Sequence, residues 1–309
     1  MPARDPQITT LAVPGGDLEA RFAVGDGMVG CSLTHCGEEL LGLRGGLDAY
    51  LERGKTFGVP VLYPWANRLG AWGYAAAGST VAIDRGSAPV RDDGNDLPIH
   101  GALPAACHWR LDDVGADGDA AWLEAELDWT ADAGRRQLFP FAHRVGITVR
   151  LTGDTLRLAT AVRATGADAV PLSFGFHPYL APPGRPRAQW EVELPAMTHL
   201  ALDDRGLPTG AREPRPAETF ALGDRTYDDL YVLDAGPGSF AVDDGVRRIA
   251  VTFEEGFTHA QVFAPPTEDV LCFEPMTAPV DALRTHDELR LVAPGAEARA
   301  VFALRVEPR

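Results

Sequence analysis

The chain has 309 residues, 45% hydrophobic and 23% charged, enough to bury a large core, which excludes disorder as the main state. Its 33 glycines and 25 prolines exceed the usual share and argue for many turns and against a helical bundle. A formal net charge of −16 argues against nucleic acid or an anionic membrane surface as partner, and the single lysine, Lys55, leaves little scope for Schiff-base chemistry.

The N-terminal segment, with Pro2, Asp5 and Pro6, has no apolar leader, and no run approaches a membrane span. Cys31, Cys36, Cys107 and Cys272 form no CxxC pair and resemble neither a zinc site nor a disulfide framework. The expectation is a soluble, reduced, cytoplasmic protein without a targeting segment. Leu47 to Arg53 is the best helical signal, a short piece suited to capping a sheet edge. The dominant pattern has period two. Leu123, Ala125, Leu127 and Trp129 alternate with polar neighbours. So do Val145, Ile147, Val149 and Leu151, then Leu156, Leu158, Thr160 and Val162, then Ala298 through Val306. Turn signals such as Asp93-Gly94-Asn95, Gly153-Asp154 and Pro294-Gly295 separate the runs. Ala181 to Gln189 and Asp203 to Glu218 read as long loops that wall a groove. Together these features predict an all-β fold, a large antiparallel β-sandwich forming one domain over residues 1–309.

Several segments place chemistry-bearing side chains in apolar or Gly/Pro-shaped surroundings. In Tyr63 to Gly70, Arg68 offers planar, permanently charged donors, and Trp65 offers a face for a sugar ring. The alternative is a core tryptophan and a surface ion pair. His100 precedes Gly101, which permits close approach by backbone or ligand; the alternative is a turn histidine bonded locally. His177 lies between Phe176 and Pro178, where an imidazole titrating near neutrality suits a general acid; the alternative is a satisfied core histidine. Gln261, in a strand-like run, has an amide that reaches a polar ligand or else faces solvent. Glu274 ends the apolar run Val270 to Phe273 beside Pro275, a suitable place for a general base; the alternative is a structural carboxylate. These residues lie far apart in the chain, so only a tertiary fold brings them together.

Five motifs in order resemble the aldose 1-epimerase, or galactose mutarotase, family, over about Leu18 to Val306. They are Asn67-Arg68 through Gly78, His100-Gly101 through Trp109, His177-Pro178-Tyr179, Tyr227-Asp228-Asp229-Leu230-Tyr231, and Glu274-Pro275-Met276-Thr277-Ala278-Pro279. The resemblance implies a β-sandwich with a carbohydrate groove, Glu274 as general base, His177 as general acid, and His100 at the ring oxygen or a nearby hydroxyl. It further implies that Arg68 and Asp228 hold sugar hydroxyls, with Asn67, Trp65 and Gln261 as further binding candidates. It implies a small-molecule sugar as substrate, no cofactor and no metal. Asp229 departs from the histidine many galactose-type members carry there, which bears on which hydroxyls are accepted. Three other readings are a non-catalytic sugar-binding or regulatory module, a glycosidase or lyase on the same scaffold, and a sugar-phosphate mutarotase with Arg185 and Arg187 as candidate anion-binding residues. A glycosidase would ordinarily present two such acids, and only one sits in a matching motif.

Overall fold

The alternating runs fold as strands in which every second side chain is buried. In Ala121–Asp128 and His143–Thr152 the buried set is the odd-numbered one, and in Thr155–Ala164 the even-numbered one. The computed structural model describes residues 7–86, 88–234 and 236–309; the N-terminal reading on Pro2, Asp5 and Pro6 lies outside them.

These strands belong to a nine-stranded antiparallel sheet. Its spatial order is Arg110–Ala116, Ala121–Asp128, His143–Thr152, Thr155–Ala164, Glu297–Pro308, Arg247–Glu255, Gly238–Asp243, Glu191–Leu194 and Glu218–Ala221. A second, eight-stranded sheet runs in the order Pro208–Arg215, Met197–Leu202, Tyr227–Leu233, His259–Ala264, Leu271–Met276, Gly175–Phe176 and Val61–Leu62, with Tyr179–Leu180 also pairing Leu271–Met276. The two sheets face each other through aromatic side chains. Phe240 stacks on Phe273 at 5.1 Å between ring centroids, and Phe176 meets Phe302 at 4.9 Å. Such ring pairs add specific geometry to the burial that drives the sandwich together. A four-stranded sheet, Ile8–Ala12, Leu18–Ala23, Val29–His35 and Glu38–Glu39, packs alongside. The all-β antiparallel expectation therefore holds.

The short helix forms as Gly46–Arg53 and ends at Gly54, whose φ of 63° supplies the left-handed turn that a helix terminus requires. Two readings need correction. Trp129 does not extend its strand: Asp128 accepts from the Thr130 amide and starts a 3₁₀ turn over Trp129–Ala131. Asp203 to Glu218 is not one long loop, because Pro208–Arg215 is an edge strand paired with Met197–Leu202. Its side chains are almost all exposed, so it shows no hydrophobic alternation, and an edge tolerates its two prolines. Among the described residues no helix is long and apolar enough to cross a membrane. All four cysteines are free thiols.

Alternation along the eight-stranded sheet decides what faces outward. Ala260, Val262, Leu271 and Phe273 point into the core between the sheets. The intervening residues, among them Gln261, Phe263, Cys272 and Glu274, lie on the opposite face. The candidate site is built there.

Candidate active site

Glu274 occupies a central strand, and each neighbour strand presents a polar residue beside it. On one side Gln261 is its direct cross-strand partner. On the other, Gly175 pairs Met276 and Tyr179 pairs Cys272. Continuing that register by twos puts His177 opposite Glu274. Between the two pairs Pro178 has no amide hydrogen to donate, the ladder opens, and the His177 side chain sits on the outer face. Gly175 is required at this crossing: a Cβ there would lie 2.5 Å from the Pro275 carbonyl oxygen.

The result is a close acid–base pair, with His177 Nε2 3.2 Å from Glu274 Oε1. The Tyr179 hydroxyl is 3.1 Å from the same nitrogen, and its ring stacks on the imidazole at 4.1 Å and 8°. Arg44 donates to that hydroxyl at 3.0 Å and forms a bidentate pair with Glu268 at 2.6 and 2.8 Å. Both members of the pair are nearly inaccessible to water. Burial pushes the Glu274 carboxyl well above its usual range; Asp228 adds to this and Arg68 opposes it. Burial pushes the His177 imidazole well below its usual range, with Arg44 and Arg91 adding to it. The pair therefore rests with one proton and little net charge. Glu274 Oε2 and His177 Nδ1 are buried without a hydrogen-bond partner. Buried polar atoms are normally paired, and these two belong to residues that line the pocket described below.

His100 completes the floor, its ring edge-on to His177 at 5.6 Å. Burial, then Arg91, His177 and Arg68, keep it neutral by lowering its pKa well below the usual range. Its backbone is left-handed at φ 63°, as is that of Asn67 at φ 56°, and the His100 amide donates to the Asn67 carbonyl at 2.9 Å. Two non-glycine residues in this region represent conformational strain, held here by the surrounding chain. Gly101 is needed for backbone approach: a Cβ would lie 2.2 Å from the Tyr63 carbonyl oxygen.

Arg68 is held by Asp93 at 2.5 Å and donates to the Asn67 side chain at 3.1 Å, with Asp228 at 3.9 Å. Burial opposes ionisation of Asp93, but the Leu97 and Asn95 amides and Arg68 hold its carboxyl below the usual range. Asp228 is half exposed and accepts from Gln261 Nε2 at 2.7 Å.

These groups share one pocket of about 330 Å³, lined by Glu274, His177, His100, Arg68, Asn67 and Asp228 together with Arg44, Lys55, Arg91 and Tyr179. That volume lies at the small end for ligand sites and suits a monosaccharide. Six of the eight residues singled out from the sequence thus converge.

The other two do not line it. Trp65 is fully buried in the core beneath the site, bridged to Ser173, so it offers no face to a sugar. Gln261 is also buried; its amide holds Asp228 rather than projecting into the pocket. Asp229 points to the opposite face from Asp228, as successive strand residues must, and its carboxylate lies 3.2 Å from His199 beside a separate cleft. The departure at 229 therefore does not touch the pocket. Arg185 and Arg187 are not pocket residues. Arg187 donates to the Gly223 and Arg225 carbonyls, and Arg185 lies against Gly245. The sequence reading missed Arg91, Arg44 and Lys55; the one available signal was that Lys55 is the only lysine.

Among the described residues, Asp17, His35 and Cys36 bring metal-ligating atoms within 4.8 Å of one another, outside this pocket.

The family model described as Aldose 1-epimerase matches residues 31–305. A search of curated proteins finds no match. Solved structures similar to this one include a galactose mutarotase-like protein from Clostridium acetobutylicum (TM-score 0.83, 18% identity, 99% of this chain and 100% of that one). The Slr1438 protein from Synechocystis sp. PCC 6803 superposes with a TM-score of 0.80 at 20% identity, covering 100% and 98%. Galactose 1-epimerase from Lactobacillus acidophilus NCFM does so at 0.77 and 13%, covering 100% and 97%. At these identities the structural likeness speaks to the fold.

Proposed function

This chain belongs to the aldose 1-epimerase family, and from that premise we propose that it interconverts the α and β anomers of an aldopyranose by acid–base catalysis. The observation that carries the reading is the His177–Glu274 pair at 3.2 Å on the pocket floor, with a carboxylate oxygen left free. A module that only binds sugar has no need of such a pair.

Ring opening removes the proton from the C1 hydroxyl and delivers one to the ring oxygen as the bond between C1 and that oxygen breaks. Glu274 takes the first proton and His177 Nε2 gives the second. The pair's single proton must then sit on His177. A sugar hydroxyl donating to Glu274 Oε2 favours this arrangement, because hydrogen bonds to a carboxylate stabilise its charged form. Rotation about C1–C2 exposes the other face of the carbonyl, and the ring closes with the roles exchanged. Arg68 and Asp228 orient hydroxyls, with Asn67 bracing Arg68 and Gln261 bracing Asp228. His100 stays neutral and polarises an oxygen near the ring. Each positioned proton-transfer group contributes about 10²–10⁴-fold.

The test is anomer exchange measured by NMR over a panel of neutral and anionic aldoses. Exchange faster than buffer with any member, lost in Glu274→Gln while the circular dichroism spectrum is kept, supports the reading. Buffer rates with every member would overturn it.

A further inference from the structure

The charges around the pocket are segregated. Arg68 and Asp228 stand together 3.9 Å apart, whereas the Tyr179 hydroxyl that contacts His177 meets Arg44 at 3.0 Å and, through Thr56 at 2.6 Å, the segment that carries Lys55, with the Arg91 side chain packed beside Gly54. At the His177 end, Arg44 is neutralised by its bidentate pair with Glu268. Arg91 is not. Among the described residues its guanidinium has no ion pair and no hydrogen bond, and its Nε is fully buried without a partner. The nearby carboxylates are paired elsewhere: Asp93, whose charge favours Arg91 from a distance, is bound by Arg68, and Asp92 lies 3.9 Å from Arg85. Lys55, the chain's only lysine, stands at the same pocket, exposed and, among the described residues, in no ion pair. A half-buried guanidinium without a counter-ion is costly, and more unexpected in a protein of net charge −16.

Pyranose geometry says what this end meets. The ring oxygen joins C1 to C5, and C5 carries the exocyclic carbon. With Glu274 at the C1 hydroxyl and His177 at the ring oxygen, that arm extends past His177, away from Glu274, toward Arg91 and Lys55. Resting on the reading of the pair given above, we propose that the substrate is an aldopyranose whose C5 arm ends in an oxyanion, held by Arg91 and Lys55. A hexose 6-phosphate and a hexuronate share this chemistry. The planar guanidinium matches either oxyanion bidentately, and Lys55 adds a flexible point charge at the rim.

The experiment compares anomer exchange of glucose, glucose 6-phosphate and glucuronate, each corrected for its uncatalysed rate, in wild type, Arg91→Met, Arg91→Lys and Lys55→Met. The expected result is kcat/KM for one anionic sugar at least ~10-fold above glucose. Arg91→Met should remove ~10²-fold of that value, mainly through KM, a loss at least ~10-fold larger than its effect on glucose, with Arg91→Lys partly restoring it. The faster of the two anionic sugars identifies the oxyanion. Glucose exchanged as well as both, or an unchanged preference in Arg91→Met, would overturn the proposal while leaving the catalytic reading intact. If no aldose is exchanged, calorimetry with glucose 6-phosphate and glucuronate separates the two readings. Binding lost in Arg91→Met upholds the oxyanion site without the chemistry, and absence of binding overturns the site as well. Arg91→Met should fold at least as well as wild type, because it removes an uncompensated charge.

Discussion

His177 Nε2 and Glu274 Oε1 lie 3.2 Å apart on adjacent segments of one sheet, so each carries the other's protonation state. The pH dependence follows from the directions of their shifts. A second proton must enter on His177, whose value burial, Arg44 and Arg91 depress below its ordinary 6.5. The single proton leaves from Glu274, whose value burial and Asp228 raise above its ordinary 4.5. The one-proton state therefore spans the interval between them. The kcat/KM profile for anomer exchange should be bell-shaped, with its acid limb below pH 6.5. Rates measured from about pH 4 to 9 check this, and an acid limb above the ordinary histidine value contradicts it.

Glu274→Gln should separate activity from stability. Because the folded-state value of Glu274 is raised, the advantage of its neutral form is complete below 4.5 and is lost as pH rises through the raised value. Glutamine keeps that advantage at every pH. The variant is expected to match wild type in acid and to exceed it by ~1 kcal/mol in mild alkali, while exchange falls by about 10²–10⁴-fold. Urea unfolding at the two pH values measures the first part. A variant less stable than wild type at high pH would show that the buried carboxylate is stabilising.

Gln261 acts through Asp228. Truncating it to alanine removes the 2.7 Å bond that fixes a half-exposed carboxylate. KM should rise by ~10-fold or more, with the shape of the pH profile retained, because the acid–base pair is untouched. A shifted pH profile with unchanged KM would instead place Gln261 in control of Glu274.

Trp65 tests the assignment of a core role. Trp65→Phe should leave KM for the exchanged sugar unchanged, and Trp65→Ala should cost about 3–5 kcal/mol in unfolding free energy. A raised KM in a fully folded Trp65→Phe would return the ring to the sugar site.

Much of the sandwich was legible because its central strands are half-buried and so carry strict alternation, as in Val145 to Leu151. The strand Pro208–Arg215 was not, since its exposed edge leaves no hydrophobic signature. The acid–base pair was legible as residue types in motifs, but not as a pair. What joins them is strand register, and the pairings of Gly175 with Met276 and Tyr179 with Cys272 have no local trace in sequence. Trp65 misled, and Arg91 was passed over, for a related reason. An aromatic in a Pro-rich loop reads alike whether it turns inward or outward. An arginine beside two aspartates reads as paired until their actual partners, Arg68 and Arg85, are seen.

Asp228 and Asp229 are neighbours in sequence, yet one borders the candidate pocket and the other pairs with His199 on the opposite face. Two adjacent residues of the Tyr227–Leu233 strand thus serve separate surfaces. Under the proposed activity, substitution at 228 acts on sugar choice, while change at 229 falls on His199 and the separate cleft. Selection on ligand choice can therefore act at 228 without disturbing 229, whereas the next even-numbered position, Leu230, is fully buried in the core.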